Sequence, residues 1–256
     1  MSVTSFDERM KQYEWCAKTE LTPRLPVLIR VDGKAFHTMT KKAKCEKPFD
    51  VKLHNAMVAA TKFVCNDAQG AVLGYTQSDE ISILLINYKN RETDSWFDNK
   101  VQKIVSVAAS AVTWAFTVTY QMFEIPTLFD ARVWVLPHEE VCNYGIWRQK
   151  DCIRNSVSGL AQANFSHKQL HKKNSGEMRN MLLEEKGIDW EKLESWKKHG
   201  SVIVRDVYEK EGAVRHRWIE MENTPIFNDT RSFIDDFVNI KPDLNTVAGR
   251  SEGDMI

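Results

Sequence analysis

Residues 71–86 read AVLGYTQSDEISILLI, two apolar runs separated by a short polar connection. The pattern predicts a β-hairpin with strands at about 71–76 and 80–88, because branched and aliphatic residues flank a turn sequence. Both arms are almost continuously apolar, which is typical of strands that are covered on both faces. The hairpin therefore places two acids, Asp79 and Glu80, at the end of a buried strand.

A second apolar strand is predicted at residues 27–32, and it ends at the pair Asp32-Gly33. Burying an unpaired carboxylate costs free energy, so an acid beside such a strand is either neutralised or functional. Acids on neighbouring strands converge at one edge of a sheet, where their oxygens suit Mg²⁺. These residues alone therefore favour metal-assisted phosphoryl chemistry.

The alternation of side chains along a strand predicts different roles for the individual acids. Consecutive strand residues point to opposite faces, so Asp79 and Glu80 cannot both face one metal unless the hairpin bulges. We therefore predict Asp32, the carbonyl of Gly33 and Asp79 as metal ligands, and Glu80 as a supporting acid. Two ions there would activate an attacking hydroxyl and stabilise a leaving oxygen. The alternative, that Asp32 and Asp79 only form turns and caps, stays open on spacing alone.

The rest of the sequence predicts an α+β fold, an antiparallel sheet with helices packed on one face, plus a smaller C-terminal hairpin and helices. The acidic motifs fall in a catalytic core at 1–140. A helical and hairpin part at 141–256 is expected to belong to the same compact domain. The predicted elements are helices at 51–67, 98–122, 139–170 (with a break near 143–145) and 177–186, a strand at 131–136, and hairpin arms at 201–208 and 213–221.

The composition is that of an ordinary soluble globular protein, with 256 residues, 43% of them hydrophobic, and 35 basic against 35 acidic side chains. Zero net charge argues against a purely electrostatic nucleic-acid binder, although lysines cluster at 41–47 and 167–173. No apolar run approaches bilayer length, and the N-terminus lacks a signal-peptide segment. Five cysteines without CxxC spacing indicate reduced thiols. We therefore expect a cytoplasmic protein with no membrane partner.

Four segments together resemble one protein family. They are RVDGKAFH at 30–37, KPFD at 47–50, GYTQSDEIS at 74–82 and WRQKD at 147–151. In order and content they resemble the histidine-tRNA guanylyltransferases and their Thg1-like relatives, which elongate RNA in the 3′-to-5′ direction. The resemblance covers about residues 5–220.

This resemblance implies a sheet similar to the palm of ordinary polymerases and a site for two Mg²⁺ ions. The metal ligands would be Asp32, the Gly33 carbonyl and Asp79, and the catalytic acids would be Asp32, Asp79 and Glu80. The basic region at 148–173 would contact RNA.

By the same resemblance, one group of residues would bind the nucleotide substrates, ATP and GTP. Its arginine and lysines would contact phosphates, which suits their fixed positive charge. For three members a structural role is the alternative: Asp50 as a helix N-cap, Ser78 as a turn residue and His37 as a packed side chain. The group consists of Arg30, Gly33, Lys34, Ala35, Phe36, His37, Lys47, Asp50 and Ser78.

A second group would bind the phosphate backbone of tRNA. A solvated helix face is the alternative, and it is the better one for any single lysine. The group consists of Arg148, Lys150, Arg154, Asn155, Lys168, Lys172 and Lys173.

The run at 153–158 departs from the family pattern, because it starts at Ile153 where members dedicated to histidine tRNA usually carry a histidine. This departure favours template-dependent repair of truncated tRNA 5′ ends. The resemblance further implies a homotetrameric, Mg²⁺-dependent nucleotidyltransferase that activates the 5′ phosphate with ATP and then adds nucleotides, commonly GTP. The alternatives are a dedicated enzyme that adds the −1 G to histidine tRNA, a palm-type nucleotide cyclase, and a non-catalytic tRNA-binding protein.

Overall fold

Six strands form one antiparallel sheet in the computed structural model, which describes residues 5–240. In chain order they are β1 Val27–Gly33, β2 Ala71–Gln77, β3 Glu80–Leu85, β4 Phe129–Val135, β5 Ser201–Lys210 and β6 Ala213–Glu220. Across the sheet they follow the order β4-β1-β3-β2-β5-β6. The position of β1, between β3 and β4, brings its C-terminal end beside the hairpin turn. The predicted antiparallel sheet of an α+β fold is confirmed.

Helices connect these strands, and four of them, α1, α2, α8 and α9 below, were not predicted from the sequence. The helix predicted at 51–67 is found with the same bounds. Within residues 5–240 the helices are α1 Phe6–Trp15, α2 Phe36–Lys42, α3 Val51–Asp67, α4 Val101–Tyr120, α5 His138–Asn164, α6 His167–Leu170, α7 Ser175–Lys186, α8 Ser195–His199 and α9 Ser232–Val238.

The predicted break near 143–145 is wrong, because α5 runs without interruption through this segment. Gly145 serves close packing instead. A Cβ atom on this residue would lie 2.5 Å from Cδ1 of Ile234 and 3.4 Å from Cδ2 of Phe227. Gly145 thus lets α9 approach α5 closely, and the main-chain hydrogen bonds of α5 continue through this residue.

Helices cover both faces of the sheet, so the prediction of helices on one face needs correction. On one face, Ile29 and Ile83 pack among the buried residues of α3 and α4. On the other, Leu28 and Leu84 pack against α5, α9 and Phe227. The physical reason is that β1 and β3 are apolar at consecutive positions, which point to opposite sides of the sheet.

The C-terminal hairpin extends the same sheet. Residues 74–76 of β2 pair with 201–203 of β5, and residues 203–210 of β5 pair with β6. The C-terminal half of α5 forms a third apolar cluster with α7 and Trp190. Main-chain hydrogen bonds therefore link the two parts into which the sequence was divided, 1–140 and 141–256, while that division itself stays a prediction.

Helix α4 is long and apolar enough to cross a membrane by length and composition, with a mean hydropathy of 1.3. In this fold its inner face belongs to the core, where Ala108, Val112 and Phe116 lie on the sheet. Only 28% of the most apolar 18-residue segment of α4 is buried, so a large part of the helix surface faces outward. The outward face is mixed, since the exposed side chains of Trp114 and Val118 lie beside polar residues such as Gln102, Lys103 and Ser110.

Candidate active site

Three acids lie in register across three neighbouring strands. Asp32 on β1 is directly opposite Glu80 on β3 and directly opposite Asp130 on β4. Residues that oppose each other in an antiparallel pair project from the same face. Asp32 and Glu80 therefore share the face that α5 covers, because Leu28 and Leu84, with the same alternation, pack against this helix.

Asp79 reaches the same end of the sheet from the hairpin turn. Gln77 and Glu80 form the last pair of the hairpin, which leaves Ser78 and Asp79 as a two-residue turn. Ser78 has a φ of 51°, as the tight turns that match strand twist require. Its Oγ donates a hydrogen bond to Asp79 Oδ1 (3.0 Å), and the main-chain nitrogen of Gly33 donates to the main-chain oxygen of Asp79 (3.1 Å). The last bond ties the turn to the end of β1.

The electrostatics distinguish Glu80 from the other two acids. The pKa of Asp79 is raised to about 6, mainly by burial and also by the charges of Asp32 and Glu80, which together outweigh the lowering by the Ser78 hydrogen bond. Glu80 has a cationic partner, since Arg148 Nε lies 2.7 Å from its Oε1. Within residues 5–240, neither Asp32 nor Asp79 forms an ion pair. These two acids therefore lack compensation for their charge.

Such a pair fits a Mg²⁺ ion, which in proteins is often held by one or two carboxylates together with substrate phosphates. The described part of the chain contains no group of three or more His, Cys, Asp or Glu side chains arranged around a metal position. Any further ligands must then be main-chain oxygens, such as the predicted Gly33 carbonyl, or atoms of the substrate and water.

Phe36 is placed in the core, which corrects its predicted side-chain role in nucleotide binding. Its ring packs against Phe116 (5.6 Å between ring centroids) and Phe129 (5.3 Å). A Cβ atom on Gly33 would collide with the same ring. Only the main chain of Phe36 is left for a substrate contact, and the glycine is required because the ring lies against it.

The other predicted nucleotide residues lie around this end of the sheet. The side chains of Lys34, His37 and Lys47 are exposed, as is Ala35, which precedes α2 in a left-handed conformation (φ 53°). Arg30 lies on the α5 face, and its Nε is buried without a hydrogen-bond partner among the described residues. Nucleotide contacts by these residues stay predictions.

Asp50 has the structural role that was the alternative for this residue. It is the N-cap of α3, with Oδ1 accepting from the nitrogen of Leu53 (2.7 Å) and Oδ2 accepting from the nitrogen of Glu46 (2.9 Å). Both carboxylate oxygens are thus already bound, which fixes the loop that carries the exposed Lys47.

A cavity of about 170 Å³ lies between the hairpin turn, the start of α3, α5 and α8. Residues from both predicted groups line it together, namely Asp50 and Ser78 from the nucleotide group and Asn155 from the RNA group. One wall is a stacked pair, His54 and Trp196, with ring centroids 4.1 Å apart. Sequence reasoning missed this pair, because the two residues are far apart in the chain and neither belongs to a motif.

Arg148 does not belong to an RNA-binding surface, so that prediction is wrong for its side chain. The side chain is 8% exposed and forms ion pairs with Glu80 and Asp151. The other predicted RNA residues are exposed, and Asn155 among them also lines the cavity. Lys173 pairs with Glu177 (3.2 Å) and Arg154 with Asp151, while Lys150, Lys168 and Lys172 extend into solvent.

Comparison with known proteins identifies the family. A family model described as Thg1, tRNAHis guanylyltransferase, matches residues 7–137. The tRNA(His) guanylyltransferase of Schizosaccharomyces pombe is 31% identical over 220 residues, which cover 80% of this chain and 82% of that protein. An uncharacterized protein, R259, of Acanthamoeba polyphaga mimivirus is 29% identical over 227 residues, 78% of this chain and 77% of the viral one.

Solved structures agree with this assignment. A bacterial tRNA(His) guanylyltransferase (Thg1)-like protein in complex with ATP has a TM-score of 0.86 and 43% identity, covering 93% of this chain and 100% of that chain. The tRNA(His) guanylyltransferase of Saccharomyces cerevisiae, at 21% identity and a TM-score of 0.70 over 88% of this chain and 99% of that one, shares the fold. The chain therefore belongs to the Thg1 family of tRNA(His) guanylyltransferases, which are nucleotidyltransferases.

Proposed function

We propose that this protein is a Mg²⁺-dependent nucleotidyltransferase that adds nucleotides in the 3′-to-5′ direction to tRNA 5′ ends. The observation that carries the proposal is the pair of uncompensated acids, Asp32 and Asp79, held together by the main-chain bond from Gly33 to Asp79. A bacterial Thg1-like protein similar to this chain has been solved with ATP and with GTP, which supports both as substrates.

In the reaction we propose, a 5′-monophosphate end of the RNA first attacks the α-phosphate of ATP, giving an adenylylated RNA and releasing pyrophosphate. The 3′-hydroxyl of an incoming nucleotide, commonly GTP, then attacks the activated 5′ phosphate and releases AMP. Bound Mg²⁺ ions would supply charge neutralisation at the phosphates in both steps. Asp32, Asp79 and the Gly33 carbonyl would hold the ions, and Glu80 would support these ligands.

No covalent intermediate on the protein is needed. Phosphoryl transfer depends mainly on positioning and on electrostatic stabilisation. The thiol that lines the cavity, Cys152, is a poor nucleophile, because burial raises its pKa to about 12. The exposed lysines of the family motifs, Lys34 and Lys47, and the half-buried Arg30 would then serve as phosphate contacts.

We favour template-dependent repair over addition of a fixed −1 G. Ile153, at the position of the family's usual histidine, is partly buried against the apolar cluster of α5 and α7. Its side chain offers no hydrogen bond to a base or a phosphate. Pairing with the opposite acceptor strand would select the nucleotide instead, and that selection needs no specific side chain.

The test is a competition between 5′-truncated tRNAs and intact histidine tRNA, with equal Mg²⁺, ATP and nucleotide. We expect templated addition to the truncated tRNAs to exceed addition to intact histidine tRNA. Preferential G addition opposite a non-pairing base of histidine tRNA would replace repair with the dedicated guanylyltransferase reaction. A reaction without RNA completes the test. Cyclisation of GTP in that reaction would favour a nucleotide cyclase. The absence of any product, with or without RNA, would favour a non-catalytic tRNA-binding protein.

Two further parts of the proposal concern assembly and location. A second copy of the chain would cover the outward face of α4, where small residues at 106, 109 and 110 lie beside exposed Trp114, Val118 and Phe123. Small side chains let two helices approach closely, and the three exposed apolar side chains would be removed from water by the pairing. Such a pairing is compatible with the expected homotetramer. Free cysteines throughout residues 5–240 support a reducing, cytoplasmic location.

A further inference from the structure

One residue of α5 binds both ends of the turn that carries Asp79. The side-chain amide of Gln77 donates a hydrogen bond to the main-chain oxygen of Arg148 (3.1 Å). Arg148 Nε in turn donates to Glu80 Oε1 (2.7 Å). Gln77 and Glu80 are the pair that closes the hairpin, so Arg148 holds the base of the turn from both strands.

The guanidinium of Arg148 is itself held in one orientation. Its terminal nitrogen donates to Asp151 Oδ2 (2.8 Å), one turn further along α5. The ring of Trp147 lies over it, with 4.4 Å between the guanidinium carbon and the ring centroid. The side chain of Arg148 is only 8% exposed, so the carboxylates of Glu80 and Asp151 must compensate its charge.

This arrangement decides which acids stay free. Glu80 projects from the same face as Asp32 and lies directly opposite it. The Arg148 ion pair occupies Glu80, while Asp32 and Asp79 have no such partner within residues 5–240. Glu80 thus differs from Asp32 and Asp79 in having its charge neutralised by an arginine.

We propose that Arg148 is a positioning residue of the nucleotide-addition site, an inference that rests on the function proposed above. It fixes the Ser78–Asp79 turn against the end of β1. It also withholds Glu80 from the cations that Asp32 and Asp79 would bind. Arg148 acts through the hairpin and Glu80, and it touches neither the substrate nor the reacting atoms.

The experiment compares Arg148→Gln and Arg148→Lys with the wild-type chain. We expect Arg148→Gln to lower kcat about 10- to 100-fold while the KM values for GTP and tRNA change less than about twofold. Binding of Mn²⁺ alone, measured by calorimetry, should become tighter because Glu80 is released. Arg148→Lys keeps the charge and loses one of the two side-chain hydrogen bonds. Its kcat and its Mn²⁺ affinity should therefore lie between those of the wild-type chain and those of Arg148→Gln.

Arg179→Gln is the matched control. Arg179 also pairs with a carboxylate, Glu191 (2.9 Å), and stacks on a tryptophan, Trp190 (3.9 Å), but it lies on α7 outside the sheet. This variant should retain wild-type kcat and Mn²⁺ affinity, with any loss confined to the melting temperature.

A double variant, Arg148→Gln with Glu80→Gln, tests whether the effect passes through Glu80. Two amides can still hydrogen-bond, so Mn²⁺ affinity should return to the wild-type value and kcat should exceed that of Arg148→Gln. The inference is overturned if Arg148→Gln lowers kcat no more than Arg179→Gln, or if its Mn²⁺ affinity is unchanged. A wild-type chain that adds no nucleotide would contradict the proposed function instead, and the Mn²⁺ measurements would still decide the role of Arg148.

Discussion

Asp32 and Glu80 oppose each other on β1 and β3, yet among residues 5–240 only Glu80 of the two has a cationic partner. Two like charges in opposing positions destabilise a sheet unless something neutralises them. The guanidinium of Arg148 does so for Glu80, and a bound cation would do so for Asp32 together with Asp79. Glu80 is therefore neutralised within the protein, whereas Asp32 and Asp79 are left to bind a cation.

Asp32→Ala and Asp79→Ala should each abolish nucleotide addition to truncated tRNA. Neither should lower the melting temperature measured without metal, because each removes one of two mutually repelling acids. Asp130→Ala is the control, since Asp130 also opposes Asp32 but its side chain is 56% exposed. Wild-type activity in either of the first two variants would contradict the metal site, and loss in the control would extend the site to β4.

Glu80→Gln should retain measurable activity, reduced about 10- to 100-fold, whereas Asp79→Asn should show none. The amide of the first variant can still accept the hydrogen bond from Arg148, so the turn stays in place. Addition rates measured across a range of Mg²⁺ concentrations will compare the two variants. Equal and complete loss in both would mean that Glu80 binds the ions directly.

Asp79 should make the stability of the metal-free protein depend on pH. Burial raises its pKa to about 6, so the folded chain binds a proton more tightly than the unfolded one. The wild-type protein should therefore lose stability relative to Asp79→Asn as the pH rises from about 4 to about 6. Melting temperatures in a chelator across this range measure the difference, and a difference constant with pH would show that Asp79 titrates normally.

Charge reversal of Lys168, Lys172 and Lys173 together should weaken tRNA binding and flatten its dependence on salt. Fewer counterions are released when fewer phosphates are neutralised. The affinity for GTP should change little, because these lysines lie outside the nucleotide motifs. Filter binding at several salt concentrations gives both quantities.

A matched control reverses Lys11, Lys103 and Lys192, which are equally exposed but lie in other parts of the chain. If the two triple variants bind tRNA with the same affinity and salt slope, the Lys168 cluster is only a solvated surface. The track for the RNA backbone would then have to run elsewhere.

Trp114→Glu and Val118→Glu should reduce the molar mass in solution, because a buried charge would oppose pairing through the outward face of α4. Light scattering after size exclusion measures the mass. Val207→Glu, at a valine that is also exposed but lies on β5, should leave the mass unchanged. An unchanged mass in all three would place any interface between copies on another surface.

The sequence by itself determined the hairpin, the longer core helices and the identity of the acids. Residues 71–86 specify the hairpin, because apolar residues flank a turn in which Ser78 adopts a positive φ. The periodic apolar positions of 51–67 likewise specify α3. These features depend on residues that are close together in the chain, and a single sequence contains all the information that they need.

Only the tertiary structure decided how these parts are combined. Arg148 belongs to a motif that suggested RNA contacts, but its burial against Glu80, 68 positions away, makes it a partner of the hairpin. His54 and Trp196 form a cavity wall although nothing in their local sequence connects them. The contacts that assign these side chains join distant segments, and such contacts depend on how the helices pack over both faces of the sheet, which local patterns do not encode.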